Sequence, residues 1–495
     1  MVVSRARVIL LVLVVLLVTL GTWMWSRSKA SIPLQSTPVL TVDTSHLGVE
    51  FQVGAVGLAT ETIEFRRGHL TVGYPALVRL MRLLGPSVLR IGGSSVDLSW
   101  WTSSGEAAPQ WATSTVTPTD LLALHKLLSA TGWRVLLGVN LGHFEPARAA
   151  NEARYAHEIL GAGLMGIEIG NEPNAYSDTK NKVVLRPTTY DVSEYTREVQ
   201  AYSQAVGQEV PGVPIYGPAA GGSEWLRSMG AAAHMFTEIT QHFYPTTACP
   251  TVPASEPRST VAELLSPLVL QRENEALEDL GQAANMTGRP TRISETNSVS
   301  YCSESPAATP SLGSALWALD WTLRATSTGV EGMNFYGGFG LCGSGSKSQS
   351  PICAPGQSRG RLAASPEYYG LLAATRLEGG RFAPTSLKAS RALPNIMTWA
   401  TVTTHGTVRI AIENLALSGP GQQLLIPVAG SAATVETLTG PSPYSGEGVT
   451  FGGAAVTKAQ EWRPHPQGLS QAHGYVRLAV RPGSAVVVTL REPAL

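Results

Sequence analysis

Residues 165–172 read MGIEIGNE and are followed by Pro173. Ile167 and Ile169 alternate with Glu168 and Gly170, which is the two-residue period of a strand. Pro173 has no N–H to donate and cannot continue a central strand, so this one stops with an amide, Asn171, and a carboxylate, Glu172, at its carboxyl end. Such an end has two readings. It is a plain surface terminus, with Asn171 as a cap and Glu172 in an acidic first turn, or it presents Glu172 to something.

The surrounding pattern bears on the choice. Seven other apolar, strand-like runs occur: VEFQVGAVGL (49–58), SVLRIGG (87–93), WRVLLGVNL (133–141), VPIYGPA (213–219), ITQHFY (239–244), RPTRISET (289–296) and VEGMNFYGG (330–338). Helical patterns lie between them. TPTDLLALHKLLSATG has Thr117 and Pro118 at its start and Gly132 past its end, and PARAANEARYAHEILGAG spaces its apolar residues for a helix. Eight strands alternating with helices over about 300 residues predict a (β/α)8 barrel. A doubly wound nucleotide-binding sheet needs a glycine-rich phosphate loop after its first strand, and VGLATETIEF is not one. From about residue 385 the runs IMTWATVTT, TVRIAIENLAL, QQLLIPVAG, TVETLTG, YVRLAV and SAVVVTLR are separated by turn residues alone, which predicts a β-sandwich. The expected division is an N-terminal segment 1–30, a linker and sandwich strand 31–48 (with PVLTVDTSHLG as the donor), a barrel 49–384 and a sandwich 385–495.

The 495 residues are 43% hydrophobic and 15% charged, and 36 Lys+Arg balance 36 Asp+Glu. A large core follows, and the basic footprint of a nucleic-acid binder is lacking. No protein partner is evident. Arg5 and Arg7 precede an apolar run from Val8 to Trp25, long enough to span a bilayer, with Trp23 and Trp25 placed for an interface. The run reads as a membrane anchor; Ser28 and Ala30 also fit the cleavage site of a signal peptide. Either way the rest of the chain is expected outside the cytoplasm. Four cysteines agree with an oxidising compartment, with Cys342–Cys353 and Cys249–Cys302 as the expected pairs. None belongs to a metal-ligand motif, and no cofactor or metal is expected.

Chemistry on a (β/α)8 barrel sits at the carboxyl ends of its strands. Polar residues there are Ser94 and Asp97 after the second strand, Asn140 at the third, Asn171 and Glu172 at the fourth, His242 and Tyr244 at the sixth, Glu295 at the seventh and Tyr336 at the eighth. Two carboxylates across one mouth suit glycoside hydrolysis. One donates a proton to the leaving oxygen while the other attacks the anomeric carbon, and a retaining mechanism wants them about 5–5.5 Å apart. Asn171 suits a hydrogen bond to a sugar 2-hydroxyl. Each residue also has a blander reading. Glu61 suits a cap, His242 a hydrogen-bonded core histidine, and Tyr301 and Trp321 packing.

The segments GIEIGNEPN, RISETNS, LRIGGSSVD, VGLATETIEF and GVNLG…EARYA together resemble glycoside hydrolase family seventy-nine, the β-glucuronidase and heparanase family, and YSGEGVTFGGAAV (444–456) looks like its β-sandwich. The resemblance implies retaining chemistry on a carbohydrate, with Glu172 as acid/base and Glu295 as nucleophile. It places Glu61, Asp97, Asn140, Asn171 and Tyr244 in segments like the family's sugar-binding positions. The bacterial glucuronidases hold the sugar carboxylate with tyrosines and backbone amides after strands seven and eight. Ser300 or Tyr301 falls at one such position here, Tyr336 stands where a histidine is common, and Ser350 stands where a tyrosine is expected. The rivals are the same machinery with a neutral sugar, a non-catalytic glycan-binding protein, and a structural envelope protein. The last leaves the polar strand ends unexplained.

Overall fold

The computed structural model describes residues 37–179, 183–249, 255–300, 308–340, 342, 349–355, 361–428, 430 and 432–491. Eight parallel strands close a barrel: β1 (Val56–Glu61), β2 (Val88–Gly92), β3 (Arg134–Val139), β4 (Leu164–Ile169), β5 (Ile215–Gly221), β6 (Glu238–Phe243), β7 (Thr291–Thr296) and β8 (Val330–Tyr336). Each pairs with its neighbours in chain order, and β8 pairs with β1. The helices that follow the strands are α1 (Pro75–Leu84), α2 (Pro118–Thr131), α3 (Pro146–Leu160), α4 (Val192–Glu209), α5 (Glu224–Met229), α6 (Pro267–Thr287), α7 (Leu312–Ser327) and α8 (Pro366–Thr375). The predicted barrel is therefore present. The start of α2 shows how the sequence builds it: Thr117 and Asp120 form a reciprocal capping box, Pro118 opens the helix, and Gly132 closes it at φ 75°.

Alternation sorts the strand side chains. Leu89, Ile91, Val135, Leu137, Ile167 and Ile169 are buried in the large core shared with the helices. Val88, Leu136, Met165 and Tyr216 form a separate cluster on the other side of the strands, facing the barrel axis. Further along β2 and β4 this inner side carries Arg90 and Glu168, both fully buried. A polar layer thus sits directly beneath the mouth.

The C-terminal strands build a sandwich from a five-stranded and an eight-stranded sheet. Val39–Val42 joins the five-stranded sheet between Thr385–Lys388 and Gln422–Pro427. Glu50–Phe51 pairs with Gly380–Phe382 in the eight-stranded sheet. Within 49–384, then, the first and last strands belong to the sandwich. The reason is packing: Phe51 stacks on Phe382 with ring centroids 5.6 Å apart, a long-range contact no local pattern records.

Cys342 and Cys353 form a disulfide. Cys249 is also disulfide-bonded, and Cys302, its expected partner, lies outside the described residues. Among the described residues no helix is long and apolar enough to cross a membrane; Val8 to Trp25 lies outside them.

Where the barrel meets the sandwich, Glu413 is fully buried and neither carboxylate oxygen has a hydrogen-bond partner among the described residues. Burial pushes its carboxyl well above the ordinary value, and the nearby Asp320 and Glu273 add to this against Arg324. A raised carboxyl contributes stability that is present below its unfolded pKa and lost as pH rises through the folded one. Glu413→Gln, which keeps the shape without the charge, is expected to unfold at a higher temperature than wild type at neutral pH. It should also lose less stability than wild type as pH rises above the ordinary carboxyl value of 4.5, checked by thermal melts from that pH upward. Equal pH slopes for the two proteins would refute this account of Glu413.

Candidate active site

The mouth is organised around Arg90. Its guanidinium donates through Nε to Glu168 (2.7 Å), through Nη1 to Glu295 (2.6 Å) and through Nη2 to the Asn171 side-chain oxygen (2.9 Å). One buried cation thereby aligns the carboxylate of β7 and the amide after β4. The two glycines after it in RIGG make the room. A Cβ at Gly92 would lie 2.5 Å from the Arg90 guanidinium carbon, and one at Gly93, where φ is +66°, would lie 2.5 Å from the Glu61 carboxylate.

Glu295 also accepts a 2.6 Å hydrogen bond from the Tyr244 hydroxyl. His242 Nδ1 lies 3.1 Å from Glu172 and 3.9 Å from Glu295, and its Nε2 has no partner among the described residues. Glu172, His242 and Glu295 each bring one side-chain atom within 4.8 Å of the other two. Tyr336 donates to Glu61 at 2.7 Å, and Ser95 donates to the same carboxylate through its amide and its hydroxyl. Ser94 lines a cavity of about 290 Å³ beside Asn171 and Glu172, and a second, of about 470 Å³, runs from Glu172 past Gln241, His242 and Tyr244 to Arg272 and Ser300.

The sequence candidates thus separate into two groups. Glu61, Ser94, Asn171, Glu172, His242, Tyr244, Glu295 and Tyr336 converge on the mouth. Asp97 also lines the smaller cavity, and Asn140 lies beside the mouth, but their polar atoms are engaged, chiefly with backbone. Asp97 accepts the amides of Leu141 (3.0 Å), Gly142 (2.9 Å) and Asn171 (3.2 Å). Asn140 donates to the Ser99 carbonyl and accepts from the His143 amide. Tyr301 lies outside the described residues. Ser350 is buried and donates to the Ile352 carbonyl, whereas Ser300 borders the larger cavity. Trp321 is fully buried and donates to Thr296, as a packing residue does. Sequence reading missed Arg90, Glu168 and Tyr176.

The electrostatics follow from this set. Burial pushes Glu295 above the ordinary carboxylate value and the charge of Glu172 adds to it, while His242, Arg90 and the Tyr244 hydroxyl oppose. Burial also acts upward on Glu172, but the hydrogen bond and charge of His242, with Arg90 behind, hold it below the ordinary value. Donor chemistry says where a single proton resides. Arg90 has no acceptor, and Tyr244 is held donating to Glu295, so both favour the Glu295 anion. His242 Nδ1 donates or accepts according to its tautomer, so the 3.1 Å contact with Glu172 is one across which a proton can be shared. The same three ligand atoms have the spacing of a cation site, but the fixed positive charge of Arg90 on Glu295 works against a cation there.

The pH dependence of any activity that needs the Glu295 anion follows. Tyr244→Phe removes a donor that lowers Glu295, so the acidic limb of kcat/KM moves to higher pH in the variant. A limb at the wild-type position would show that Tyr244 does not tune Glu295.

No family model matches the chain, and no curated protein does. Among solved structures the chain is similar to a 4-O-α-L-rhamnosyl-β-D-glucuronidase from Fusarium oxysporum 12S, with TM-score 0.70 and 19% identity over 91% of this chain and 100% of that one. It is also similar to the GH51 arabinofuranosidase from Xanthomonas axonopodis pv. citri, with TM-score 0.65 and 15% identity over 92% and 100%. A xyloglucanase of glycoside hydrolase family 44 from Paenibacillus polymyxa gives TM-score 0.59 and 11% identity over 92% and 99%. Shared almost end to end with these chains is a fold, the (β/α)8 barrel carrying a β-sandwich.

Proposed function

We propose that the protein is a retaining β-glycosidase acting on β-glucuronides or related uronic-acid glycans. The observation that carries this is the pair Glu172 and Glu295, with one oxygen of each within 4.8 Å across the mouth. So near an approach of one oxygen from each agrees with the roughly 5–5.5 Å carboxyl separation that retaining enzymes use.

Glu172 protonates the glycosidic oxygen while a Glu295 oxygen attacks the anomeric carbon. The carbon–oxygen bond to the leaving group breaks as the bond to Glu295 forms. Arg90 and Tyr244 hold Glu295 in line, and His242 supplies the proton that Glu172 passes on. In the second step a water gives a proton to Glu172 and attacks the same carbon, which releases Glu295 as the anion. Asn171, fixed through its oxygen by Arg90, keeps its amide nitrogen to donate to the 2-hydroxyl.

Support for a uronate comes from the barrel motifs and from the likeness to the rhamnosyl-glucuronidase. A neutral sugar is the second reading, favoured by the Glu61 carboxylate at the mouth, which repels an anionic glycone. Chromogenic β-glucuronide, β-glucoside and β-xyloside, assayed in parallel on a soluble form lacking residues 1–30, decide between them. Turnover of the glucuronide alone supports the first reading and turnover of a neutral glycoside the second. Hydrolysis of none, by a folded protein, favours the glycan-binding reading. We also propose that the enzyme works outside the cytoplasm, tethered or released at its N-terminal apolar run; the Cys342–Cys353 disulfide supports this.

A further inference from the structure

We propose that Asp97 is a positioning residue that holds Glu172 in place by tying together the carboxyl ends of β2, β3 and β4. The inference rests on the reading of Glu172 as the acid/base. Glu172 has φ 48° and ψ 56°, a left-handed backbone that is strained for a residue with a Cβ and persists only where its surroundings over-determine it. The surroundings can be named. The Glu172 amide donates to the Ala219 carbonyl at 2.9 Å, and Ala219 is itself left-handed at φ 52°. The amide of Asn171, one residue earlier, donates to Asp97 at 3.2 Å and to the Tyr176 hydroxyl at 3.3 Å.

The other Asp97 oxygen takes the two amides that follow β3, Leu141 and Gly142. The carboxylate after β2 therefore receives backbone donors from the ends of the next two strands, β3 and β4. Close fitting reinforces the tie. A Cβ at Gly142 would sit 2.7 Å from the Asp97 Cβ, and one at Gly170, where φ is +77°, would sit 2.6 Å from the Tyr176 hydroxyl. Asp97 is 1% exposed. Three backbone amides and the Tyr176 hydroxyl occupy the acceptor sites of its two oxygens, so a sugar hydroxyl could claim one only by displacing a donor, and Asp97 acts through Glu172 and not on the substrate.

A positioning role predicts a loss that depends on the leaving group, since a poor leaving group needs the proton that a misplaced Glu172 fails to deliver. Asp97→Asn puts an NH2 where an amide now donates. It is expected to lower kcat/KM about 100-fold on the phenyl glycoside of the preferred sugar and less than about threefold on the dinitrophenyl glycoside. Tyr176→Phe should show the same split at smaller size, and it decides the matter if Asp97→Asn does not fold. Azide, which attacks the glycosyl-enzyme without a general base, should restore kcat on the dinitrophenyl glycoside. Equal losses on both substrates would overturn the proposal and leave the glycosidase reading standing. A wild type inert on the dinitrophenyl glycosides of all three sugars would remove that reading and the proposal with it.

Discussion

Glu295→Gln is expected to lower kcat/KM by at least about 10⁴-fold on every glycoside the wild type cleaves, with no loss of folding. The amide keeps the shape, its one oxygen accepting from Arg90 while its NH2 turns to the Tyr244 hydroxyl oxygen, but it cannot form the ester to the anomeric carbon. A fluoroglycoside that forms the intermediate and hydrolyses slowly should raise the mass of the wild type by one sugar unit. After reduction and trypsin the label belongs on the peptide 293–324, which contains Glu295. The variant should take up none. The substitution also removes the negative charge facing Glu172, so the carboxyl of Glu172 titrates lower still and the basic limb of any residual activity moves down in pH. A variant retaining a tenth of wild-type activity, or a label on another peptide, would remove Glu295 from the nucleophile's role.

Much of this site is legible in the sequence. Glu172, His242, Glu295 and Tyr336 could be placed because a two-residue period marks each barrel strand and chemistry on this fold gathers at strand ends. Arg90 and Glu168 were missed although a signal existed: each is a lone charge between apolar neighbours, Leu89 and Ile91 or Ile167 and Ile169. A buried charge of that kind requires a partner. Pairing one with the other needs the knowledge that β2 and β4 flank β3 in a closed barrel and turn these residues inward, which is tertiary. Asp97 and Asn140 show what strand-end position leaves out. Their type and position were right for sugar binding, but their oxygens face amides at 2.9–3.2 Å, and loop amides leave no trace in side-chain patterns. The same limit hid the sandwich strands at 50–51 and 380–382, which are too short to show a period.

Arg90→Met should destabilise the protein by about 3–5 kcal/mol, as removing one partner of a buried ion pair does. Two carboxylates, Glu168 and Glu295, would remain at the barrel axis without their cation, along with an Asn171 oxygen lacking its donor. Arg90 now holds the fully buried Glu168 below the ordinary carboxylate value although burial acts upward. The sign of its linkage follows. A lowered carboxyl contributes stability that is present above its unfolded pKa and lost as pH falls through the folded one. Without Arg90, burial dominates and Glu168 rises, so its contribution is present in acid and lost as pH rises. The stability gap between wild type and variant should therefore widen from pH 4 to pH 7 in denaturant titrations. Replacing Glu168 as well, in Arg90→Met/Glu168→Gln, should recover a large part of the stability but not the activity, because Glu295 still lacks its donor. A gap that is flat with pH, or a double variant no more stable than the single, would mean that Arg90 contributes packing and not charge. The polar layer beneath the mouth would then owe its order to the fit of the side chains around it.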